Sequence, residues 1–238
     1  MSKQTELAQV ADTITVNSGN VGIGTSSPSH SLQINGSDNA VNFRVGDASG
    51  NNSLRIYNNT TSNAVALDAS DSATNMQFAI SGTERMRIDA SGRVTTPNQP
   101  AFLATLTGPF NTGTSAAKVT GWSVSGFQRY SIGGNFSSNR FTAPVDGRYL
   151  FNYTGLHHAG VSGTGSWVRI YYYVNGTSYL DGLSDQGSYG AYQRLSISTV
   201  FNLSANDYVE IYANDADGDS DNGFIYSGYT YFSGHLLG

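Results

Sequence analysis

The sequence has 238 residues, a mass of 25.3 kDa and a formal net charge of −5, with 15 Tyr, 11 Phe and 2 Trp but only 12% charged residues. Such an aromatic content argues against a disordered chain, and the acidic balance excludes a duplex-DNA binder, which needs a basic face to release counterions. The absence of cysteine excludes a disulfide framework, a thiolate zinc site and a cysteine nucleophile.

The N-terminal segment, residues 1–18, is polar and contains no apolar signal core, so export is not expected. The chain also lacks an apolar run of about 18 residues, so no membrane insertion is expected. Leu7, Val10 and Ile14 have the spacing of one helix face. Two interpretations are open, because short isolated helices are marginal. The segment is either a frayed terminus or a helix that orders only when it attaches to a larger particle.

Residues 19–98 combine very short strand patterns with few large apolar side chains. Only three aromatic residues, Phe43, Tyr57 and Phe78, precede the proline pair at 97 and 100. Six apolar–x–apolar steps have the period of a strand, and turn signals such as Asn-Gly surround them: 32–34, 43–45, 54–56, 65–67, 78–80 and 86–88. Strands this short cannot bury themselves in one chain. The pattern therefore favours an elongated β-rich shaft in which several chains share a core, with a flexible linker as the alternative.

Residues 99–238 read as strands separated by Gly-, Asn- and Asp-containing turns. No long segment has helical periodicity, which predicts an antiparallel sandwich of about 140 residues. The predicted strands are 101–107, 127–136, 147–155, 166–174, 192–203, 207–213 and 223–237.

Residues 141–153 carry the most specific motif in the chain. A Pro-x-x-Gly turn leads into a strand in which Tyr149, Phe151 and Tyr153 share one face. This stretch resembles the signature of the complement C-one-q globular head, in which Phe is followed after five residues by Gly-x-Tyr-x-Phe-x-aromatic. Residues 201–209 and 232–237 are similar to two later segments of the same family. The resemblance implies a ten-stranded-type jelly-roll sandwich, as in tumour necrosis factor, and a three-fold arrangement of subunits.

Two shaft segments, residues 19–28 and 83–92, look like segments common in bacteriophage tail-fibre and other virion structural proteins. This resemblance implies a virion fibre that is assembled in the host cytoplasm. Its N-terminus would contact other virion proteins, the shaft would follow, and the head would form the tip.

The strand over 166–174 carries aromatic residues on both faces. Successive strand residues point to opposite faces, so the set of Val168, Ile170, Tyr172 and Val174 is expected to fill the domain's own core. The opposite face would expose large rings unless another subunit covers it. We therefore expect a homotrimer interface at Trp167, Tyr171 and Tyr173. A ligand groove or a covering loop is the alternative for this face.

Two clusters contain residue types that bind metal ions in proteins. Carboxylates alternate along Asp215, Asp217, Asp219 and Asp221, which could bind calcium but do not match an EF-hand loop. A solvated turn is the other interpretation. His157 and His158 are adjacent and should point to opposite faces, so we expect surface or core-edge histidines without a shared metal.

The sequence shows no constellation for catalysis, and neither an enzyme activity nor a cofactor is expected. Glutamate occurs only at 6, 84 and 210, and Glu210 alternates with two apolar residues and is expected to face outward. No nucleophile elbow is present. The expected function is that of a homotrimeric phage fibre whose head recognises a glycan or protein on the host surface. Candidate contact loops are 160–165, 184–191 and 215–223, and an architectural capsid-decoration or clamp protein is the alternative.

Overall fold

The computed structural model describes most of the chain as β-structure. The described residues contain no α-helix, only two short 3-10 turns at Ile132–Gly134 and Ser227–Tyr229. The chain divides into two compact units, Met1–Thr96 and Pro97–Gly238. The all-β prediction is confirmed. The described residues are 14–23, 25–27, 29–34, 41–45, 54–59, 64–69, 75–158, 167–185, 192–215 and 223–238.

The described residues of the first unit form three three-stranded sheets. Each sheet is formed by three strands that follow one another in the chain, and every pair is antiparallel except the parallel pair of the second and third strands of the first sheet. All six predicted apolar steps lie within strands, so the strand interpretation of these steps is confirmed. Leu7 and Val10 lie outside the described residues. The strands are β1 (Ile14–Asn17), β2 (Asn20–Ile23), β3 (Leu32–Ile34), β4 (Val41–Val45), β5 (Leu54–Asn59), β6 (Ala64–Ala69), β7 (Asn75–Ile80), β8 (Thr83–Asp89) and β9 (Val94–Thr95).

Two hairpins of this unit use the same turn chemistry. Ser18-Gly19 joins β1 to β2, and Ser81-Gly82 joins β7 to β8, with φ of 52° and 85° in the first turn and 51° and 75° in the second. Two successive residues with positive φ match the twist of the flanking strands, which is why Gly is favoured in such turns. Both hairpins therefore place a glycine at the second of the two turn positions with positive φ.

The first unit buries no large apolar side chain among those described at 14–34 and 75–96, where Gly22 is the one buried residue. Val16 is 72% exposed and Ile80 64% exposed. Leu32, Phe78 and Val94 are also exposed. These described side chains therefore lack the burial that normally stabilises a folded domain.

The second unit contains fourteen described strands. The predicted strand over 127–136 is instead two short strands around a 3-10 turn, because Gly133 and Gly134 have positive φ of 73° and 68°. The predicted strand over 223–237 is likewise divided by the turn at Ser227–Tyr229. The strands are β10 (Ala101–Leu106), β11 (Phe110–Asn111), β12 (Ala117–Lys118), β13 (Trp122–Ser123), β14 (Tyr130–Ser131), β15 (Phe136–Ser137), β16 (Arg140–Thr142), β17 (Gly147–His158), β18 (Trp167–Val174), β19 (Thr177–Asp185), β20 (Tyr192–Leu203), β21 (Tyr208–Asp215), β22 (Phe224–Ile225) and β23 (Tyr231–Leu236).

These strands form two antiparallel sheets. The first has the order β11-β22-β17-β23-β10-β13, with β14 paired to β10 and β20 paired to β17. The second has the order β15-β16-β21-β18-β19, with β12 paired to β21. Strand β19 was not predicted from the sequence, because its large side chains, Tyr179, Leu180 and Leu183, do not alternate with polar residues. The longest pairing runs along β17 and β20, from Gly147 opposite Leu203 to His158 opposite Tyr192.

One aromatic core joins the inner faces of the two sheets. Phe151 lies at its centre, and its ring centroid is within 6.4 Å of six other aromatic rings: Phe102, Phe141, Tyr149, Tyr172, Phe201 and Phe232. The four aromatic residues of the 141–153 motif are completely buried, so their expected core role is confirmed.

Candidate functional site

Strand β18 has the two-faced character expected from its sequence. Val168, Ile170 and Tyr172 are completely buried and Val174 is 8% exposed, so the predicted core face is confirmed. Tyr171 and Tyr173 are half-buried on the opposite face. Trp167 is the first residue of β18, and its side chain lies outside the described residues.

The outer face of β18 is partly covered by its neighbour β21. The rings of Tyr173 and Tyr212 are stacked with centroids 3.9 Å apart, and Tyr171 meets the edge of Tyr173. The Tyr171 hydroxyl also donates a 2.9 Å hydrogen bond to Oδ1 of Asn214. These contacts bury part of each ring within one chain, and the subunit interface at Trp167, Tyr171 and Tyr173 stays a prediction.

Glu210 lies on this outer face, as expected, but long side chains from neighbouring strands nearly bury it. Its side chain is 6% exposed and its Oε1 is 2.6 Å from Nζ of Lys118. Arg140 is 4.0 Å from the same oxygen, and its guanidinium lies over the ring of Tyr208. Burial raises the pKa of Tyr212, and the nearby Glu210 carboxylate adds to that effect. Lys118 from β12 and Arg140 from β16 therefore cover the Glu210 carboxylate, which lies on the outer face of β21.

Replacing Glu210 by glutamine is expected to destabilise the second unit by about 1–3 kcal/mol, because the half-buried Lys118 ammonium loses its charged partner. The measurement is urea unfolding followed by tryptophan fluorescence. A double-mutant cycle with Lys118→Met isolates the pair, and a coupling energy near zero would contradict the prediction.

The acidic stretch is described only at its beginning. Asp215 is 2% exposed, and its Oδ2 accepts a 3.2 Å hydrogen bond from the backbone N–H of Gly223. Asp217, Asp219 and Asp221 lie outside the described residues. Within the part of the chain that the structure describes, no group of three or more carboxylate or imidazole side chains is placed to hold a metal. Calcium binding by this stretch stays a prediction.

The two adjacent histidines occupy opposite faces of β17, as expected. His157 is completely buried, which corrects its expected position at the surface or core edge, and its Nε2 is 2.7 Å from the Tyr153 hydroxyl. Burial lowers the pKa of His157 to about 4. His158 lies on the outer face, where its ring is 5.0 Å from that of Tyr192. His157 has the same parity as Tyr149, Phe151 and Tyr153, which was a signal for burial in the sequence.

A pocket of about 320 Å³ opens on the outer face of β10, and sequence reasoning missed it. It lies between β10, the turn that precedes β14, and the segment from the second 3-10 turn to β23. Phe127 at its rim is 87% exposed. Because a continuous strand was predicted over 127–136, the turn at Gly126–Arg129 was not predicted. Its walls include Leu103, Thr105, Phe127, Arg129, Ser227 and Tyr231.

Comparison with known proteins does not assign the chain to a family. No family model matches the sequence, and no curated protein matches it. Among the described residues, no helix is long and apolar enough to cross a membrane. The functional interpretation therefore depends on the exposed apolar side chains of the first unit and on the surfaces of the second.

Proposed function

We propose that the chain is a non-enzymatic virion structural protein, a homotrimeric phage fibre whose C-terminal head recognises a glycan on the host surface. The observation that carries this proposal is the exposure of apolar side chains in the first unit. Full burial of a Val, Leu, Ile or Phe side chain contributes about 1.5–3 kcal/mol. In a single chain this contribution is not made by the exposed side chains of Val16, Leu32 and Ile80. Three copies that pack these strands together would recover it, which gives the shaft its core.

The number three is supported by the resemblance of residues 141–153 to the C-one-q signature. The described part of the second unit fits that resemblance, because its motif aromatics fill a core between two antiparallel sheets. A jelly-roll head on a trimeric shaft would present three copies of each head surface. Avidity from three heads would compensate for weak single sites, which suits binding to surface glycans. The N-terminal segment would attach the fibre to other virion proteins.

An architectural role, as a capsid-decoration or clamp protein, is the second candidate. The outer face of the first sheet supports it. Tyr192 and Val200 are exposed there, and Arg194, Ser196 and Ser198 lie between them on the same face of β20. Hydrogen bonds join Ser198 to Asn152 and Thr154 to Ser196 across β17 and β20. A face that combines apolar, hydroxyl and amide groups with an exposed arginine suits contact with another protein.

We expect native mass spectrometry to give three times the chain mass of 25.3 kDa. Val94→Asp should weaken the trimer at least about tenfold, because it places a charge in the shared core. Thr95→Asp is the matched control, since its side chain is on the opposite face of β9. A folded monomer for the unchanged chain, or equal masses and equal dissociation for both variants, would contradict the trimeric shaft.

Host recognition is tested separately. The purified full-length chain should bind host cells and block infection, and electron microscopy should locate it at a distal tip of the particle. A position on the capsid face without cell binding would instead support the architectural candidate.

A further inference from the structure

The pocket on the outer face of β10 has the size and lining of a small-ligand site. Its volume of about 320 Å³ lies at the lower end of the range for ligand pockets, about 300–1,000 Å³. Leu103 and Tyr231 supply apolar surface, while Thr105 and Ser227 supply hydroxyl groups. A ligand that fits such walls has both apolar faces and polar edges, as a sugar ring does.

The rim of the pocket displays an aromatic ring to solvent. Phe127 is 87% exposed on the turn Gly126–Arg129, which is closed by a hydrogen bond from the Arg129 N–H to the Gly126 carbonyl. Gly126 and Gln128 have φ of 113° and 60°, so the turn holds a left-handed backbone on both sides of the ring. Exposed aromatic side chains beside a cavity are typical of binding sites.

The guanidinium of Arg129 lines the same pocket as the ring of Phe127. Arg129 is half-buried and lines the pocket, and within the described residues no carboxylate lies within ion-pair distance of it. Its guanidinium packs against Gly126, where an added Cβ would lie 3.2 Å from Cζ. A half-buried guanidinium at a pocket rim, with no described carboxylate beside it, favours an anionic ligand. Arginine also binds a carboxylate through two parallel hydrogen bonds.

We propose that this pocket binds an acidic sugar, a pyranose that carries a carboxylate. The sugar ring packs against Phe127 and Tyr231, the carboxylate pairs with Arg129, and the hydroxyls of Thr105 and Ser227 bind ring hydroxyls. The inference rests on the proposed host recognition and names its ligand class. Such a sugar could come from a capsular polysaccharide or from a lipopolysaccharide, since the chemistry at the pocket is the same.

The experiment is saturation-transfer NMR of the full-length chain with glucuronic acid and N-acetylneuraminic acid, and with glucose as the neutral comparison. At least one acidic sugar should bind more tightly than glucose. Phe127→Ala should remove binding of acidic and neutral sugars alike. Arg129→Gln should weaken binding of the acidic sugar about tenfold or more and leave glucose unchanged, because only the charged contact is lost. Binding of purified capsular polysaccharide against lipopolysaccharide then distinguishes the two sources.

Tyr179→Ala and Arg148→Gln are the matched controls, since both side chains are exposed and neither lines the pocket. An unchanged unfolding midpoint confirms that each variant is folded. The proposal is overturned if neither acidic sugar binds, if acidic and neutral sugars bind equally, or if Phe127→Ala binds like the unchanged chain. It is also overturned if Phe127→Ala changes the native mass and leaves sugar binding intact, because Phe127 would then contact a second copy.

Cell binding separates this inference from the proposed function. If the unchanged chain binds host cells and Phe127→Ala binds them equally well, the pocket inference fails and host recognition stands. If the unchanged chain binds an acidic sugar but not host cells, host recognition fails and the pocket stands.

Discussion

Replacing Phe151 by alanine should lower the free energy of unfolding of the second unit by about 3–5 kcal/mol, the range for a fully buried Phe that leaves a cavity. Phe151 is completely buried, and its ring contacts aromatic residues from both sheets. Few of these neighbours can collapse into the space, because they are themselves held by stacked and edge contacts. Domains are typically stable by only about 5–15 kcal/mol. The substitution should therefore remove a large share of the stability of this unit.

The measurement is urea unfolding of the full-length chain followed by tryptophan fluorescence. Trp122 and Trp167 are the two tryptophans of the chain and both belong to the second unit, so the signal reports on that unit alone. Phe127→Ala is the matched control, because the same truncation at an 87% exposed side chain should change stability by less than about 0.5 kcal/mol. Equal effects of the two substitutions would contradict a core centred on Phe151.

Acidification from pH 7 to pH 4 should cost the second unit about 3 kcal/mol through His157. Burial lowers the pKa of His157 from 6.5 to about 4 in the folded chain. The unfolded chain therefore takes up a proton below pH 6.5 that the folded chain refuses until about pH 4. This contribution to stability is complete above pH 6.5 and is lost as the pH falls to about 4.

The same fluorescence measurement, repeated at several pH values, tests this prediction. His157→Gln should flatten the dependence between pH 6.5 and 4, although it also alters the contact with the Tyr153 hydroxyl. Asp207 does not account for a loss of stability between pH 6.5 and pH 4. Its pKa is lowered by hydrogen bonds from the Asn175 side chain and the Ser204 N–H, so its contribution is lost only below its ordinary value of 3.8. An unfolding free energy that is the same at pH 7 and pH 4 would refute the role of His157.

The two-residue alternation of a β-strand predicted the strand positions and side-chain faces that depend only on neighbouring residues in the sequence. The motif over 141–153 places Phe151 and its aromatic partners on one face, and β18 separates its apolar set from Tyr171 and Tyr173 in the same way. The apolar steps of the first unit also became strands, because two-residue turns and alternation act over a few residues. The same alternation assigned Glu210 to the outside of its strand, where it lies.

Coverage of these faces was not predictable, because it comes from residues far away in the chain. Lys118 pairs with Glu210 from 92 residues away, and this contact buries a carboxylate that alternation exposes. The pocket of Phe127 brings together three segments that lie far apart in the chain. Strand alternation by itself determined which way each side chain points. Only the tertiary structure decided what covers it, because a strand specifies its own two faces and the rest of the chain determines which of them water reaches.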